Sequence, residues 1–382
     1  MRVLIIARGY PTDDYPLNGV FEYDQGKALV KQGHEVIYGA IDLRSLRRKR
    51  RFGKHTFERD GLLIESINLP LGRIPNYLLD KARMLAVKKI HRLAEEKYGE
   101  IDVVHSHFIW FNHATVQALK NKKACHIATE HYSEMNNETL TPYYYNLGAA
   151  TYQSADQLIA VSRYLAGNLN KHFGRESLVV PNIVDTSCFI SLDAKKEKGC
   201  FRFVTVGRLE KLKHTDKLIE SFAAYFGEDE NTELVIIGDG SQKEALTELI
   251  KQKNLDKRVL IPGQKTRGEI NEIFGESDAF VSASPLESFG LAYLEALASG
   301  LPVICPSKGG PEDFVHGENG LRPKSNDPES LGKAMVLMKN NIKKYNRRKI
   351  SEEMKTRYAP ETIAKTLENI YIARKNDNEK QS

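Results

Sequence analysis

Two carboxylates, Glu287 and Glu295, carry the most informative chemistry in the sequence. Glu287 follows a short apolar strand and falls in a loop, whereas Glu295 lies within the helical pattern that begins near Gly290. Backbone N–H groups of Ser288, Phe289 and Gly290 then stand at a helix start, where the helix dipole favours an anion. The same spacing also suits a surface carboxylate followed by a solvated helical glutamate.

Two cations form a second candidate group after the first strand of the second half. Arg208 follows Gly207 directly, and Lys213 comes five residues later. A guanidinium fork and an ammonium point charge on one strand-to-helix turn suit a diphosphate. A solvated basic loop with Lys211 and Lys217 as companions explains the same residues.

The first half offers a histidine pair and a glycine. His105 and His107 end a strand, and strand alternation places them on one face. We expect no metal, because no third ligand is apparent, and His107 is either a hydrogen-bonded active-site group or a packed structural one. Gly19, in the loop after the first strand, lets the backbone approach a ligand or simply turns the chain.

The stretch Arg44–Lys54 contains seven basic residues and no acidic one. Each Lys or Arg near an anionic leaflet contributes about 1 kcal/mol of attraction, so this stretch is a candidate contact with an anionic membrane surface. No RNA-binding signature accompanies it, and we expect no nucleic acid partner. A flexible solvated loop is the competing interpretation.

Composition narrows the class of protein. The 382 residues are 41% hydrophobic and 28% charged with a net charge of +6, which excludes disordered and collagen-like chains. The scattered Cys125, Cys188, Cys200 and Cys305 favour a reducing cytoplasm over a disulfide framework. No apolar run approaches the length of a membrane-spanning helix, and the run Val3–Ala7 indicates a first buried strand.

Short apolar strands alternate with helical patterns in two successive series, which predicts two doubly wound parallel sheets. The first series starts at Val3–Ala7 and includes a helix near Asn112–Asn121; the second starts at Phe201–Val206. We expect an N-terminal domain over residues 1–185, a C-terminal domain over 186–360, and a cleft between them. Residues 361–382 are expected to form a helix, ending near Ala373 and packing back on the N-terminal domain, and then a tail.

Taken together, the motifs resemble the family 4 retaining glycosyltransferases of the GT-B fold, an α/β class with two Rossmann-like doubly wound domains facing an interdomain cleft. The resemblance covers most of the chain and rests on these segments: Gly19 running into Phe21–Leu29, Gly33–Val36, His105–His107, Val161–Leu165, Val180–Asp185, Gly207-Arg208 with Lys213, Gly238–Gly240, the Glu287 and Glu295 pair, Ala298–Val303, Gly309–Glu312 and Gly317–Leu321.

The resemblance implies roles for these residues toward a nucleotide-diphosphate sugar donor. Arg208 and Lys213 bind and neutralise the diphosphate, with help from the backbone around Gly19 and from the Ser288, Phe289 and Gly290 segment. Glu295 accepts hydrogen bonds from the ribose and Glu287 contacts hydroxyls of the donor sugar, while His107 lies near the reacting bond.

The sequence departs from the family pattern at two positions. Asn18 occupies a position where the family often has a second glycine. His214 occupies a position where glycine is common. No metal and no other cofactor is expected, because protein cations can stabilise the leaving phosphate.

The predicted function is retaining transfer of a hexose-type sugar to a lipid-linked or oligosaccharide acceptor in cell-envelope polysaccharide synthesis. The expected location is the cytoplasm, at the inner face of the cell membrane. A nucleotide-sugar epimerase of the same fold and a non-catalytic membrane-associated scaffold are the alternatives.

Overall fold

The computed structural model describes residues 1–16, 18–72, 74–120, 124–184 and 199–381. Within these residues the chain forms two compact units: unit 1 is Met1–Ile183 with Pro360–Ser382, and unit 2 is Val184–Ala359. The predicted boundary at residues 185 and 186 lies outside the described residues, as does Cys188.

The described part of unit 1 contains one sheet of eight strands: β1 (Arg2–Ala7), β2 (Glu35–Asp42), β3 (Gly53–Arg59), β4 (Leu62–Asn68), β5 (Val103–His107), β6 (Cys125–Glu130), β7 (Gln157–Ala160) and β8 (Leu178–Val179). Their order is β3-β4-β2-β1-β5-β6-β7-β8, and only β3 runs antiparallel to its neighbour. Without the edge strand β3, this is a Rossmann-type order that reverses between β1 and β5, where ligands bind.

Helices cover both faces of this sheet, so its central strands are apolar throughout. Val3–Ala7 of β1 is fully buried. One buried cluster lies against α1 and a second against α2. The helices of this part of the chain are α1 (Val20–Lys31), α2 (Asn76–Tyr98), α3 (Phe108–Ala118), α4 (Pro142–Tyr152) and α5 (Arg163–Phe173).

The described part of unit 2 repeats the pattern with six parallel strands: β9 (Phe201–Val206), β10 (Thr232–Ile237), β11 (Val259–Gly263), β12 (Ala279–Val281), β13 (Val303–Ile304) and β14 (Gly320–Leu321). Their order, β11-β10-β9-β12-β13-β14, again reverses beside the first strand. The helices are α6 (Thr215–Phe226), α7 (Lys243–Gln252), α8 (Arg267–Gly275), α9 (Leu291–Ala298), α10 (Pro328–Asn340) and α11 (Arg347–Arg357).

The chain returns to unit 1 in its last helix, α12 (Pro360–Gln381). Ile363, Leu367 and Tyr371 join the buried cluster of unit 1 that also holds Leu29 of α1. The expected end of this helix at Ala373 was wrong, because the charged residues beyond it continue the helical pattern and make i,i+3 pairs such as Arg374 with Asp377.

Two further expectations about elements were wrong. The helix expected near Asn112–Asn121 begins at Phe108, immediately after β5. The sequence did not predict the strand Gly53–Arg59, and the competing loop interpretation of the basic stretch fails at its last residues, Gly53 and Lys54, which begin the edge strand β3. That strand lies at the sheet edge and contains one large apolar residue, Phe57, among Lys54, Glu58 and Arg59, so its charge hides it from a pattern based on apolar residues.

Candidate active site

The loop that carries Arg208 is held by close backbone packing at the carboxyl end of β9. Gly238 has φ 150°, and a Cβ at this position would lie 1.8 Å from the carbonyl oxygen of Gly207. The N–H of Leu209 donates to the carbonyl of Asp239 at 2.9 Å. The Gly238–Gly240 segment is therefore the strand-to-helix turn that the sequence predicts, and it also clamps the Arg208 loop. Arg208 itself is exposed.

Lys213 and Glu287, predicted from separate motifs, meet in unit 2. The Lys213 Nζ donates to Glu287 Oε1 at 2.6 Å, and the two side chains are 23% and 21% exposed. Lys213 ends a short 3₁₀ turn, and His214 after it adopts φ 51° in the left-handed region. A glycine is common there in the family because that backbone conformation strains other residues.

The loop from Glu287 to Gly290 is supported by a second glycine-rich turn. The N–H of Gly310 donates to the carbonyl of Glu287 at 2.7 Å, and a Cβ on Gly310 would lie 2.4 Å from the carbonyl oxygen of Ser288. Ser288 and Phe289 are buried, and the Phe289 ring packs edge-on against Phe314 at 5.8 Å. The backbone that was predicted to receive an anion is thus preorganised, and α9 starts directly after Gly290.

Glu295 lies one turn into α9 and has a different cationic partner from Glu287. Its side chain is 8% exposed, and Oε1 lies 3.6 Å from Nε of Arg267 at the start of α8. Sequence reasoning missed Arg267, because no motif links a residue at that helix start to Glu295.

The first loop of unit 1 brings two backbone segments into close contact at the carboxyl end of β1. Gly19, with φ 68°, caps α1, and a Cβ there would lie 2.3 Å from the carbonyl oxygen of Gly9. The Tyr38 hydroxyl lies 2.9 Å from the Gly9 oxygen and 3.1 Å from the Gly19 oxygen and donates to them. Asn18 packs its amide against Gly9, whose missing side chain leaves the space.

His107 belongs to a buried histidine cluster formed by His105, His107 and His131. His107 Nδ1 lies 2.9 Å from His131 Nε2, and its ring stacks on that of His105 at 4.4 Å. His105 is fixed on both ring nitrogens, with the Tyr371 hydroxyl 2.6 Å from Nδ1 and the Thr129 hydroxyl 2.7 Å from Nε2. His107 is therefore packed within a hydrogen-bonded cluster, and its role at the reacting bond stays a prediction.

Burial lowers the pKa of all three histidines of the cluster well below the usual value. Arg8, on the loop after β1, lowers the pKa of His107 and His131 further. Neutral imidazoles can accept or donate one proton at a hydroxyl, which suits a reaction of uncharged alcohol groups.

Arg8 and Glu22, which sequence reasoning did not select, stand beside this cluster. The Arg8 guanidinium lies 4.0 Å from the centre of the Phe108 ring, and its Nε is 3.7 Å from Oε1 of the fully buried Glu22. Burial raises the pKa of Glu22 and the nearby guanidinium opposes that shift. Glu22 falls within the segment Phe21–Leu29 that carries part of the resemblance, but no spacing signal marked it as a site residue.

A second buried carboxylate, Glu130, ends β6. Its Oε1 accepts from the backbone N–H groups of His131 and Tyr132, and Oε2 accepts from the Tyr152 hydroxyl at 2.5 Å. Burial raises its pKa to about 7 despite these bonds. Glu130 thereby fixes the turn that presents His131 to His107.

Among the described residues, no group of three or more His, Cys, Asp or Glu side chains is arranged to hold a metal ion. Within the same residues, no helix is both long and apolar enough to cross a bilayer.

Comparison with known proteins identifies the family. Residues 19–187 match the model of Glycosyltransferase Family 4, and residues 191–355 match that of Glycosyl transferases group 1. The chain belongs to the family 4 glycosyltransferases of GT-B fold.

Two curated relatives carry the names of different synthases. The alpha-monoglucosyldiacylglycerol synthase of Acholeplasma laidlawii is 32% identical over 45% of this chain and 43% of its own length, so less than two thirds of that relative is matched. The N-acetyl-alpha-D-glucosaminyl L-malate synthase of Bacillus anthracis is 24% identical over 93% of both chains.

A solved structure supports the fold. Anabaena Alr3699/HepE, crystallised in complex with UDP, superposes with a TM-score of 0.76 over 97% of this chain and 99% of its own, at 16% identity. At that identity the likeness bears on the fold alone.

Proposed function

We propose that the protein moves a hexose-type sugar from a nucleoside diphosphate sugar to a carbohydrate or lipid-linked glycan acceptor in cell-envelope synthesis, with retention and without a metal. The observation that carries this proposal is the Lys213–Glu287 pair at 2.6 Å in the same unit as the exposed Arg208. A fixed ammonium and a guanidinium at a strand end suit a diphosphate, and the carboxylate suits sugar hydroxyls.

The leaving group determines what these residues must do. Cleavage of a sugar–diphosphate bond leaves negative charge on the departing phosphate and positive character on the anomeric carbon. Arg208, Lys213 and the Ser288–Gly290 backbone receive the negative charge, and because their positions are set before reaction they need little reorganisation. The diphosphate then requires no divalent ion, so transfer persists in EDTA.

Retention fits the state of Glu287. Its carboxylate is bound by the Lys213 ammonium at 2.6 Å, which weakens it as a nucleophile. The acceptor hydroxyl attacks from the face that the phosphate leaves, and no covalent sugar–enzyme intermediate forms. Burial lowers the pKa of His107 and keeps its imidazole neutral. We assign this residue of unit 1 to the reacting hydroxyl.

The names of the matched proteins bear on the choice of donor nucleotide and of acceptor to test. The UDP complex of the Anabaena protein makes a uridine nucleotide the first donor to test. The Acholeplasma relative is named for a diacylglycerol acceptor and the Bacillus relative for malate, so the acceptor varies among the proteins matched.

The decisive experiment measures nucleotide release from UDP-, GDP- and ADP-sugars, first alone and then with a lipid and glycan extract. Release from one donor that the extract stimulates supports the proposal. Glu287→Ala abolishes that release, whereas the exposed Glu272→Ala on α8 retains it. Donor conversion without acceptor or glycosidic product would instead indicate an epimerase.

The absence of release from every donor, together with no melting shift in UDP or GDP, would favour a non-catalytic scaffold. A ligand at 100 times its Kd stabilises the folded state by about 2.7 kcal/mol, so a binding protein would show the shift clearly.

A peripheral contact with the inner membrane face forms part of the proposal, and the structure refines which residues of the basic stretch Arg44–Lys54 are available for it. Arg44 and Arg50 both bind Asp42, at 2.6 and 3.1 Å. Arg50 also donates to the carbonyl oxygens of Arg44 and Leu69. These two arginines therefore hold the loop together.

The remaining part of the basic stretch combines exposed charge with exposed apolar groups. Leu46 and Phe52 are 69% and 43% exposed, and four exposed basic residues accompany them: Arg47, Arg48, Lys49 and Arg51. Cations flanking apolar tips match an anionic lipid surface, in which the tips enter the acyl boundary and the cations stay at the headgroups.

Vesicle sedimentation tests this contact. Binding to phosphatidylglycerol vesicles should exceed binding to phosphatidylcholine vesicles and weaken steeply with salt. Changing Arg47, Arg48, Lys49 and Arg51 to glutamine should remove it. A control with the same charge change in unit 2 should not: Lys343, Lys344, Arg348 and Lys349 to glutamine. Salt-independent binding, or equal loss in both variants, would reject the contact.

A further inference from the structure

A partly exposed group of aromatic rings in unit 1 has no role in the function described so far. Trp110 from the first turn of α3, Tyr132 from the turn after β6, and Tyr143 and Tyr144 from the first turn of α4 form this aromatic platform. Ring centres lie 4.6 Å apart for Trp110 and Tyr132, and 5.3 Å apart for Tyr132 and Tyr144. Each ring keeps part of its surface exposed.

Polar and charged groups surround the platform. The Tyr132 hydroxyl donates to Glu134 Oε1 at 2.7 Å and lies 3.0 Å from the Tyr144 hydroxyl. The Tyr143 hydroxyl donates to Asp80, which also pairs with Arg83 at 2.7 Å. Flat apolar rings are thus bordered by two carboxylates, three phenols and a guanidinium.

The platform is continuous with the histidine cluster. The Phe108 ring stacks on His131 at 4.7 Å and on Trp110 at 6.4 Å. Tyr132 follows His131 directly, and both sit on the turn that Glu130 fixes. A ligand on the platform therefore lies next to the histidine cluster, which contains His107, the residue assigned to the reaction.

The combination of aromatic rings, phenols and carboxylates favours a pyranose over a free anion or an acyl chain as the ligand. A pyranose has an apolar C–H face that packs on an aromatic ring and a rim of hydroxyls that donate to carboxylates. A free anion would meet Asp80 and Glu134, which repel it. An acyl chain would leave those carboxylates and the phenols without partners, which costs binding free energy.

We propose that the aromatic platform is the acceptor subsite and that it takes a pyranose ring of a glycan acceptor. The sugar stacks on the Tyr132 ring, against which the Trp110 and Tyr144 rings are tilted by 53° and 58° at its sides. Glu134 and Asp80 accept from its hydroxyls. This inference rests on the proposed function, since it names the chemical class of that reaction's acceptor.

The platform contains its own reporter, because Trp110 is the single tryptophan of the 382-residue chain. Its fluorescence is titrated in the presence of UDP with methyl α- and β-pyranosides of glucose, galactose and N-acetylglucosamine. Glycerol 3-phosphate serves as the anionic probe and dioctanoylglycerol as the lipid probe. We expect a saturable change with at least one pyranoside.

Variants separate stacking from hydrogen bonding. Tyr132→Ala should weaken the responding pyranoside about tenfold and raise its KM as an acceptor, with the KM for donor unchanged. Tyr132→Phe keeps the ring and should recover most of the affinity. Tyr98→Ala, which removes a partly exposed tyrosine at the opposite end of α2 from Asp80, should change neither.

Several results would overturn the assignment. One is a change in Trp110 fluorescence with glycerol 3-phosphate or dioctanoylglycerol but with no pyranoside. Another is no fluorescence change with any pyranoside up to its solubility limit. A third is a Tyr132→Ala variant that is folded, as judged by Trp110 fluorescence, and binds the pyranoside like the wild type. The titration needs no turnover. A failure of the proposed function, seen as no nucleotide release, is therefore distinguishable from a failure of the platform.

Discussion

The polar groups at the carboxyl edges of the two sheets differ in burial and in charge. In unit 1 the histidine cluster is buried, and burial keeps its members neutral by lowering their pKa. In unit 2 Arg208 is exposed, and the Lys213–Glu287 pair keeps about a fifth of its surface in solvent.

The proposed function, with a diphosphate bound at the edge of unit 2 and an acceptor hydroxyl at the edge of unit 1, accounts for this difference. A diphosphate carries its own charge into the site, so unit 2 can hold cations in solvent until the ligand arrives. A hydroxyl carries none, so unit 1 can keep uncharged donors and acceptors fully buried at little desolvation cost. Two sheets of the same strand order thus offer opposite electrostatics at equivalent edges.

The largest expected effect lies in unit 2. Lys213→Ala removes the cation next to Glu287 and should lower the transfer rate about 100- to 1,000-fold, the range for one preorganised donor. Because it also weakens the phosphate site, the UDP melting shift should shrink. Lys211→Ala, an exposed lysine on the same 3₁₀ turn, is the control and should leave both unchanged. Full activity in Lys213→Ala would contradict the charge assignment.

The corresponding change in unit 1 should affect the rate but not nucleotide binding. His107→Gln replaces the imidazole beside His131 and should lower transfer about 100-fold, the size of a proton-transfer contribution. The UDP melting shift should remain, in contrast to Lys213→Ala. His126→Gln, which changes another buried histidine that bonds Ser106, controls for packing loss. Equal loss in both variants would mean that His107 is structural.

Acid should destabilise unit 1 more than unit 2. Burial lowers the pKa of four histidines: His105, His107, His126 and His131. Below pH 6.5 the unfolded chain therefore binds more protons than the folded chain, and the free energy of unfolding decreases as the pH is lowered. Each histidine contributes at most about 1.4 kcal/mol per pH unit below that value.

Glu130 acts in the opposite direction. Its pKa is raised from 4.5 to about 7, so it lowers stability as pH rises through that window, and Glu130→Gln should remove this loss only. Thermal unfolding followed by Trp110 fluorescence reports unit 1 alone and is compared with calorimetry between pH 5 and 8. If the unfolding temperature measured by Trp110 fluorescence stays constant below pH 6.5, the histidines are protonated in the folded state and the prediction is wrong.

The smallest expected effect concerns backbone strain in unit 2. His214→Gly relieves a left-handed residue costing about 1–2 kcal/mol, offset in part by about 0.5–1 kcal/mol of glycine entropy. We expect a gain of at most about 1 kcal/mol in the calorimetric unfolding of unit 2. Asn254→Gly, at φ 55°, should gain less because asparagine tolerates this conformation. A destabilised His214→Gly would mean that the side chain contributes more than the strain costs.

Sequence reasoning succeeded where local pattern and motif coincide. The apolar runs predicted most strands of both sheets, since parallel strands buried on two faces are continuously hydrophobic. It failed at β3, whose charged edge sequence resembles a loop, and at the start of α3, where Phe108 directly follows β5 with φ 65°. No sequence pattern marks Phe108 as a residue with positive φ.

The sequence alone determined the family, the order of the elements and the candidate donor-binding residues, because these depend on local periodicity and on motifs a few residues long. Only the tertiary structure decided that Lys213 binds Glu287 and that Arg267 stands by Glu295. Those contacts join positions far apart in the chain, whose proximity arises only when the strands pair and the helices cover them.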